Sequence, residues 1–563
     1  MTSLSNRNTL SKSIWSKRFR SYFELIALFA LTLVAFHSVV GFHVLNPNNV
    51  TWLLGGDSAE AYLGWEFFRS APVTVFPLGA SPNFGVGFSS SIVFSDSIPL
   101  LAIPLKFVLL GLGGSFQYFG FWILSCFMLQ AYFANRLIRL FSLQVSVRIV
   151  GALLFLFAPI FLYRLTFDGF GHLSLLAHFL ILWALLICLD KRISNHQWCW
   201  LLPISILIHF YIFGIVFVLF ASNFVSQIVQ KNRPSFVDGC KEFLRPVILS
   251  LALFYFAGGF MSNSAASDSL QDFKYKTSLA SLFDPQPGLE SSWSLSLPDI
   301  PDSAGSVEGF AFLGLATLIA LPFWFFGARF FYRFFRSGVF VVSTAAIVCF
   351  LFALSHNISF ANRSLFSYQV PGLIVPILSA FRAGGRFVWP AVYLLLLISV
   401  CGIAEVSKRM PFRYWLISLL LGLQLWDFRD ALSNTHERFS EDSFQTVLLD
   451  PMWTELGDKY QNLVTVPPLN NDPHWIAFAL LAHKSGMTTN AAYVARTSDS
   501  KISSLQKRLQ RQIENFDFSP DTLYVLTNYP PNPLSPVLLA SNGSSEIKDA
   551  SVYSLDGFVV VAP

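Results

Sequence analysis

Residues 21–45 read SYFELIALFALTLVAFHSVVGFHVL, and Glu24 is the one acidic or basic side chain among them apart from two histidines. A run of this length and apolarity is typical of a helix that crosses a membrane. The segment before it is basic, and no small-residue cleavage site follows it, so we interpret the run as a retained first span with a cytoplasmic N-terminus. Glu24 lies near the inner end of this span, where snorkelling to the surface would explain it.

The composition extends this interpretation to the whole chain. Of 563 residues, 54% are hydrophobic and 13% are charged, and 60 are phenylalanine. A soluble globular protein carries about 25% charged residues, so this chain has about half the usual supply. The sequence therefore predicts a polytopic membrane protein in contact with membrane lipids. It excludes disordered, collagen-like and coiled-coil chains, and it gives no sign of nucleic-acid binding.

Further apolar runs of spanning length lie at 116–139, 147–163, 172–189, 246–260, 309–328, 338–354, 388–404 and 414–428. Two regions are ambiguous: 97–113, which holds two prolines and Lys106, and the long run 198–229. Placing the first on the outer surface and the second as a short hairpin puts 20 lysines and arginines inside and eight outside. The positive-inside rule favours this arrangement of eleven spans with an external C-terminus.

The predicted fold is an all-α polytopic membrane domain of about 11 transmembrane helices over 1–428, with a first external loop at 46–115. A small α/β extracytoplasmic C-terminal domain follows over 429–563. In that domain we expect four strands and two helices. The strands are Tyr460–Pro467, Thr488–Ala495, Asp521–Thr527 and Ser551–Val561, and the helices are Trp475–Lys484 and Ser503–Phe516.

The first external loop contains the most informative stretch, Leu53–Arg69, which reads LLGGDSAEAYLGWEFFR. Asp57 has two interpretations. It caps an amphipathic helix with Glu60 at the capping-box position, or it is a catalytic carboxylate at the membrane surface, acting as general base or metal ligand, with Glu60 binding substrate. Later in the loop, Asp96 is a second candidate carboxylate that could converge on Asp57.

Two arginines, Arg382 and Arg386, stand in the stretch SAFRAGGRFVWP (379–390) immediately before an apolar run. Arginine forks bind phosphate oxygens bidentately, so both are candidate ligands for a phosphate at the lipid boundary. The alternative is that they flank a helix and contact lipid headgroups.

The loop 164–173, RLTFDGFGHL, adds Asp168 and His172 as candidate substrate-binding residues, although turn chemistry explains much of this loop without a function. A buried, hydrogen-bonded role is expected for His178. His209 and Tyr211 are expected at the outer tip of the hairpin.

A long apolar first helix followed by a long external loop that opens with an acidic residue resembles the GT-C superfamily of integral-membrane glycosyltransferases. The poorly characterised bacterial members with about eleven spans and an extracytoplasmic C-terminal domain are the nearest match in architecture. The resemblance implies a multi-pass protein of the bacterial inner membrane and a sugar donor linked to polyprenyl phosphate. It also implies that the loop carboxylate is the base or binds a metal. Ala59 stands where the familiar Asp-x-Asp pattern has its second carboxylate, so no cofactor is assigned and a divalent metal stays open.

These observations predict a glycosyltransferase that moves a sugar from a polyprenyl-phosphate donor to a lipid-linked or cell-surface glycan. In this hypothesis Asp57 and Asp96 are catalytic, and Glu60, Asp168, His172, Arg382 and Arg386 bind substrate. Two alternatives stay open, a transporter or flippase and a polymerase of lipid-linked glycans. The scarcity of charge within the spans favours chemistry at a surface over transport.

Overall fold

The structure is a computed structural model of the chain. It describes residues 2–88, 90–111, 113–166, 171–190, 192–229, 236–261, 275–286, 291–302, 306–326, 340–372, 375–407, 413–440, 444–468, 474–495, 499–527, 532, 534–541 and 550–563.

Helices dominate the first three quarters of the described chain. They are α1 (Thr2–Val39), α2 (Gly56–Ser70), α3 (Pro99–Val108), α4 (Phe119–Arg139), α5 (Val145–Leu156), α6 (Pro159–Thr166), α7 (Phe179–Leu189), α8 (Trp198–Ile208), α9 (Phe210–Val229), α10 (Phe236–Phe256), α11 (Leu315–Ala320), α12 (Phe340–Leu354), α13 (Val375–Ser379), α14 (Trp389–Ser407), α15 (Arg413–Asp427) and α16 (Arg429–Ser440). A short hairpin of β1 (Asn357–Phe360) and β2 (Arg363–Ser367) interrupts them; it was not predicted.

Five helical segments of the described chain are long and apolar enough to cross a membrane: Ser21–Val39, Phe119–Arg139, Val145–Thr166, Phe210–Val229 and Gly384–Val406. Several shorter apolar helices accompany them, among them Leu173–Leu189, Phe340–Leu354 and Trp415–Asp427. The chain is therefore mostly helical with several candidate spans. The count of eleven stays a prediction.

The first ambiguous region contains one short helix, and the second divides into a short helix, α8, and a longer one, α9. Within 97–113, α3 has ten residues, about 15 Å of helix, which is half of the ~30 Å hydrocarbon core. The run 198–229 breaks at His209, where the backbone is extended. The helices on either side fold back on each other, because Asn195 and Gln227 exchange side-chain hydrogen bonds and the Trp198 and Phe220 rings are 5.3 Å apart. The predicted hairpin is confirmed.

Glu24 is not a snorkelling residue, which corrects the prediction. Its side chain is buried, accepts a hydrogen bond from Arg148 Nε at 2.7 Å, and accepts another from Asn135 Nδ2 at 3.0 Å. Because α1, α4 and α5 each contribute one of these residues, the polar cluster fixes three helices relative to one another. A hydropathy pattern shows no such partner.

The C-terminal region forms a five-stranded sheet. After α17 (Met452–Lys459) come β3 (Asn462–Val466), α18 (Trp475–Lys484), β4 (Thr488–Thr489), α19 (Asp499–Glu514), β5 (Thr522–Leu526), α20 (Ser535–Ser541), β6 (Ser551–Leu555) and β7 (Phe558–Ala562). The strand order is β4-β3-β5-β7-β6. β3 is parallel to both β4 and β5, whereas β7 is antiparallel to β5 and β6. The predicted small α/β unit is thus present.

Two predicted strands differ in detail. Ser551–Val561 is a hairpin rather than one strand, because it turns at Asp556 and Gly557, both with positive φ. The stretch predicted as a strand from Thr488 to Ala495 pairs within the sheet over two residues only. Beyond them the chain leaves the sheet towards the first external loop, where the Ala495 N–H donates to Phe94 O at 2.9 Å. The predicted helix Trp475–Lys484 is confirmed at both ends.

Candidate active site

The helix α2 begins at Gly56, directly after Gly55, and carries the first candidate carboxylates. Gly55 occupies the N-cap position, and no side chain caps the helix. Both the capping interpretation of Asp57 and the capping-box position of Glu60 are therefore wrong. Asp57 lies in the first turn instead, with its side chain 23% exposed, and is available for contacts outside its own helix.

Asp96 reaches the same place because its loop packs closely against α2. A Cβ on Gly64 would lie 2.3 Å from Ser95 Oγ, so only glycine allows this approach. Ser97 Oγ then donates to Ala61 O at 2.7 Å and holds the two segments together. Between the two serines, Asp96 adopts a left-handed backbone, with φ of 51°.

His172 lies between the two aspartates. Its Nε2 is 3.0 Å from Asp57 Oδ2, and its Nδ1 is 3.6 Å from Asp96 Oδ2. The preceding Gly171 has φ of +63°, and a Cβ there would lie 2.7 Å from Arg164 O. The turn that presents His172 therefore requires glycine. The structure brings Asp57, Asp96 and His172 together, as the sequence hypothesis needs.

Glu308 is the residue that sequence reasoning missed. It lies in the turn Ser306–Gly309 and is buried. Its Oε2 accepts hydrogen bonds from Arg164 Nη1 and Arg386 Nε, both at 2.9 Å, and Arg386 Nη2 also donates to Oε1. The sequence does contain a signal for Glu308: it is an isolated acidic residue immediately before an apolar run. It also lies on the predicted outer face, as Arg164 and Arg386 do.

The loops that carry this cluster are tied together by backbone contacts. Thr277 Oγ1 lies within hydrogen-bonding distance of Gly309 O, at 2.9 Å, and of Gly385 O, at 3.1 Å. The Gly385 N–H also donates to Tyr275 O. Glu308 and Arg386 therefore lie on separate loops, and Thr277 joins these loops through buried polar contacts.

The two predicted phosphate ligands have different surroundings. Arg386 is buried, is engaged by Glu308, and stacks with its Cζ 4.5 Å from the centre of the Tyr211 ring. Arg382 is exposed and makes no ion pair with a carboxylate in the part of the chain that the structure describes. Its charge reaches Tyr493 of the C-terminal sheet domain. Of the two, Arg382 is the guanidinium that no carboxylate of the described residues engages.

His209 approaches Asp96 from the hairpin tip, as predicted. Its Nε2 is 3.5 Å from Asp96 Oδ1, and its Nδ1 accepts a hydrogen bond from the Tyr211 N–H at 3.1 Å. Because Nδ1 is an acceptor, the proton of the neutral ring is on Nε2 and points to Asp96. His178 also matches its prediction: it is buried, and its Nδ1 is 2.7 Å from the Tyr393 hydroxyl.

The charges in this cluster shift several protonation equilibria. Burial alone would lower the pKa of His172, but the carboxylates of Asp57, Asp96 and Glu308 outweigh burial and hold it well above its usual value. Burial raises the pKa of Asp96, whereas His209, His172 and Arg386 lower it more, to about 2. His172 is therefore positively charged at neutral pH, and Asp96 is negatively charged.

Glu60 behaves in the opposite way. Its side chain is 3% exposed, and burial followed by the charges of Asp96 and Asp57 raises its pKa well above the usual value. It lies one helical turn after Asp57 on the same face of α2. Asp168, the remaining candidate, lies outside the described residues.

The resemblance leaves a divalent metal open, and the donor set tests that idea. Within the described residues, no three His, Cys, Asp or Glu side chains are grouped so that they could hold a metal ion. Both ring nitrogens of His172 face carboxylates and carry protons, so the ring has no lone pair to offer. Among the described residues, these side chains do not fit a metal centre.

The C-terminal sheet domain closes one side of the cluster. Thr489 forms a bridge with Phe84 and accepts a hydrogen bond from the Val86 N–H at 3.0 Å. His483 Nε2 lies 3.2 Å from Glu66 Oε2 on α2. The domain therefore contacts α2 and the first external loop directly beside the candidate site.

Fold and site together define a helical protein with several candidate membrane spans and a carboxylate–histidine–arginine site walled on one side by a small α/β domain. Residues 29–429 match the model of a domain of unknown function, DUF6311, and residues 452–563 match the DUF6311 C-terminal domain. The chain belongs to the DUF6311 family. Among curated proteins, no relative matches the sequence.

Three solved structures are similar at low identity. The Archaeoglobus fulgidus oligosaccharyltransferase in its apo form is 12% identical, with a TM-score of 0.45 over 90% of this chain and 70% of that chain. AglB from the same organism, in complex with an inhibitory peptide and a dolichol-phosphate, is 13% identical, with the same TM-score and coverage. ArnT from Cupriavidus metallidurans, in the apo state, is 12% identical, with a TM-score of 0.45 over 96% of this chain and 98% of that chain.

Proposed function

We propose that this protein is a membrane glycosyltransferase of the bacterial inner membrane. It moves a sugar from a polyprenyl-phosphate donor to a lipid-linked or cell-surface glycan at the predicted outer face. The observation that carries the proposal is that Asp57 and Asp96 both lie against His172. The exposed Arg382 and Asp57 both act electrostatically on Tyr493.

Asp57 is the proposed general base. His172 engages its Oδ2, while Oδ1 makes no hydrogen bond in the described chain and the side chain is partly exposed. In the proposed step, an acceptor hydroxyl gives its proton to Oδ1 and its oxygen attacks the anomeric carbon. The bond from that carbon to the donor phosphate oxygen breaks, and the electron pair leaves with the polyprenyl phosphate.

The charges of the cluster suggest where the donor phosphate binds. In the inner cluster the carboxylates of Asp57, Asp96 and Glu308 balance the positive charges of His172, Arg164 and Arg386, and His209 also lies against Asp96. Each of these cations already has a carboxylate against it. Arg382 lies outside this balance and is exposed. We therefore assign the phosphate to Arg382, whose planar fork suits two phosphate oxygens, and assign Arg386 a positioning role through Glu308.

The test is deletion of the gene in its native host, followed by mass spectrometry of lipid-linked and surface glycans. The deletion strain is complemented with wild type, Asp57→Asn, Arg382→Ala or the matched control Asp458→Asn, an exposed carboxylate on α17. We expect the deletion to remove the mass of one sugar, and wild type and the control to restore it. Asp57→Asn should reach the membrane at the wild-type level and restore nothing.

Two outcomes would contradict the proposal in different ways. Full restoration by Asp57→Asn would leave the transferase possible but remove Asp57 as its base. An unchanged glycan, with an undecorated lipid-linked precursor accumulating inside, would replace the transferase with a flippase. If Arg382→Ala lowers sugar transfer and excess donor lipid restores it, the assignment of Arg382 to the phosphate is supported. The reason is that loss of a ground-state contact raises KM.

A further inference from the structure

Glu60 is a buried acid with an unused oxygen inside the candidate site. Its side chain is 3% exposed, and Oε1 has no hydrogen-bond partner in the described part of the chain. Buried polar atoms are nearly always paired, because an unpaired one costs about 1–3 kcal/mol. Other buried polar atoms of the described chain are also unpaired, but the unpaired oxygen of Glu60 lies beside Asp57, where a substrate group could supply its partner.

The groups that face Glu60 come from four elements. Asp57 lies one turn earlier on α2, Asp96 follows the turn Ile92–Ser95, and His172 is on the loop after α6. From the sheet domain, the Ala495 backbone N–H and the Tyr493 hydroxyl complete the enclosure. No cation makes an ion pair with Glu60 among the described residues, since His172 is bracketed by Asp57, Asp96 and Glu308.

An ionised Glu60 in this place would be a third carboxylate next to two others, without a cation of its own. Taking an unpaired carboxylate out of water is costly, and such a group keeps its proton instead. A protonated carboxyl has one O–H donor in addition to its acceptor oxygens. Glu60 therefore differs from Asp57 and Asp96, which accept hydrogen bonds but do not donate them.

We propose that Glu60 remains protonated and donates a hydrogen bond to an uncharged oxygen of the sugar substrate, a hydroxyl or ring oxygen held beside Asp57. This inference rests on the proposed function for its ligand, but the protonation state is a property of the site alone. Glu60 is thus a substrate-positioning acid rather than a second base. Burial and the charges of Asp96 and Asp57 favour the protonated acid, and they outweigh the opposing effects of His172 and of the Ala495 backbone N–H.

The variants Glu60→Gln and Glu60→Ala distinguish a Glu60 that donates a hydrogen bond from a Glu60 that acts as an ionised carboxylate. Glutamine keeps the shape and an N–H donor but cannot ionise, whereas alanine removes both. In membranes from the deletion strain, with its lipid extract as the source of donor and acceptor, we expect Glu60→Ala to lower transfer by about ten- to a hundredfold. Glu60→Gln should recover most of that loss and extend activity to higher pH, where the wild-type acid ionises.

Infrared spectroscopy of the purified protein provides a readout that does not need substrate. The carbonyl stretch of a protonated, buried carboxylic acid should be present at neutral pH in wild type and in the control Glu455→Gln, an exposed residue of α17. It should be missing in Glu60→Gln and should disappear from wild type at high pH.

Each result decides between the two proposals. If Glu60→Gln is as inactive as Glu60→Ala and the carbonyl band is unaffected by the substitution, Glu60 works as an ionised carboxylate and the inference is overturned. If the band behaves as expected but Asp57→Asn transfers sugar at the wild-type rate, the protonated acid stands and the assigned base fails. Wild-type activity in Glu60→Ala overturns the positioning role alone.

Discussion

Replacing Glu308 with glutamine should destabilise the buried polar contacts that join the loops of Thr277, Glu308 and Arg386. The Glu308 side chain is 8% exposed and is the shared acceptor for Arg164 and Arg386, whose side chains are 0% and 6% exposed. Glutamine keeps the volume but removes the negative charge. Both guanidinium groups would then be buried without their anion, and His172 would lose the carboxylate 3.6 Å from its Nε2.

The expected cost follows from the burial of both partners. Breaking a buried ion pair by removing one member costs about 3–5 kcal/mol, because the remaining charge stays buried. An estimate at an effective dielectric constant of about 20, with charges about 4 Å apart, gives about 4 kcal/mol. At about 1.4 kcal/mol for each factor of ten, this shifts the unfolding equilibrium by two to four orders of magnitude.

The native cysteines supply the assay. Cys126, Cys188, Cys349 and Cys401 are free and buried, so a thiol-reactive fluorophore labels them only as the helical domain opens. Purified Glu308→Gln should label at a markedly lower temperature than wild type. The matched control is Asp430→Asn, which removes the acidic partner of the exposed Arg429 pair and should change little. If both variants label like wild type, the cluster does not stabilise the fold and its burial has been misjudged.

Four further predictions concern the docking of the sheet domain, the pH dependence of stability and metal ions. His483→Ala should speed hydrogen–deuterium exchange at the Val86 amide, which bonds to Thr489 O across the same interface, whereas the exposed Lys484→Ala should not. The charged ring of His172 should contribute its full stability below about pH 6.5 and lose it as the pH rises through its raised pKa in the folded protein. The thermal unfolding temperature of His172→Gln should therefore change less at alkaline pH than that of wild type. The contribution of Asp96 should be full above about pH 4 and lost as the pH falls towards 2, and unfolding scans across the acid range would check it. Sugar transfer should survive excess EDTA, because the ring of His172 offers no lone pair; loss of transfer that added Mg²⁺ or Mn²⁺ restores would contradict this.

The residues that sequence reasoning brought together share a simple property. Asp57, Asp96 and His172 are polar side chains in predicted external loops, and Asp57 and His172 each follow a glycine directly. Because loops at one face of a helical domain lie near one another, their approach could be expected without knowing any contact. The hairpin at His209 could also be expected. Only if the chain reverses within 198–229 do the lysine- and arginine-rich loops fall on the same side of the membrane.

The partners within the cluster could not be predicted in the same way. Glu308 lies more than a hundred residues from Arg164 and almost eighty from Arg386 along the chain, and no local pattern connects them. Arg386 and Arg382 look equivalent in sequence, since both precede the same apolar run. Only the three-dimensional packing shows that one guanidinium is consumed by Glu308 while the other stays exposed.

The buried acids of the protein show why Glu60 differs from its neighbours. In the described chain the other buried acidic side chains have cations or several hydrogen-bond donors against them: Glu24 with Arg148, Glu66 with Arg69, Glu308 with two arginines, Asp190 with Arg192, Asp284 with two backbone N–H groups, and Asp427 with Ser294 and two backbone N–H groups. An unpaired buried acid is unfavourable for the fold, because an apolar residue in its place would remove the cost of its desolvation. An acid that stays unpaired beside two carboxylates is therefore best explained by a ligand that supplies its partner.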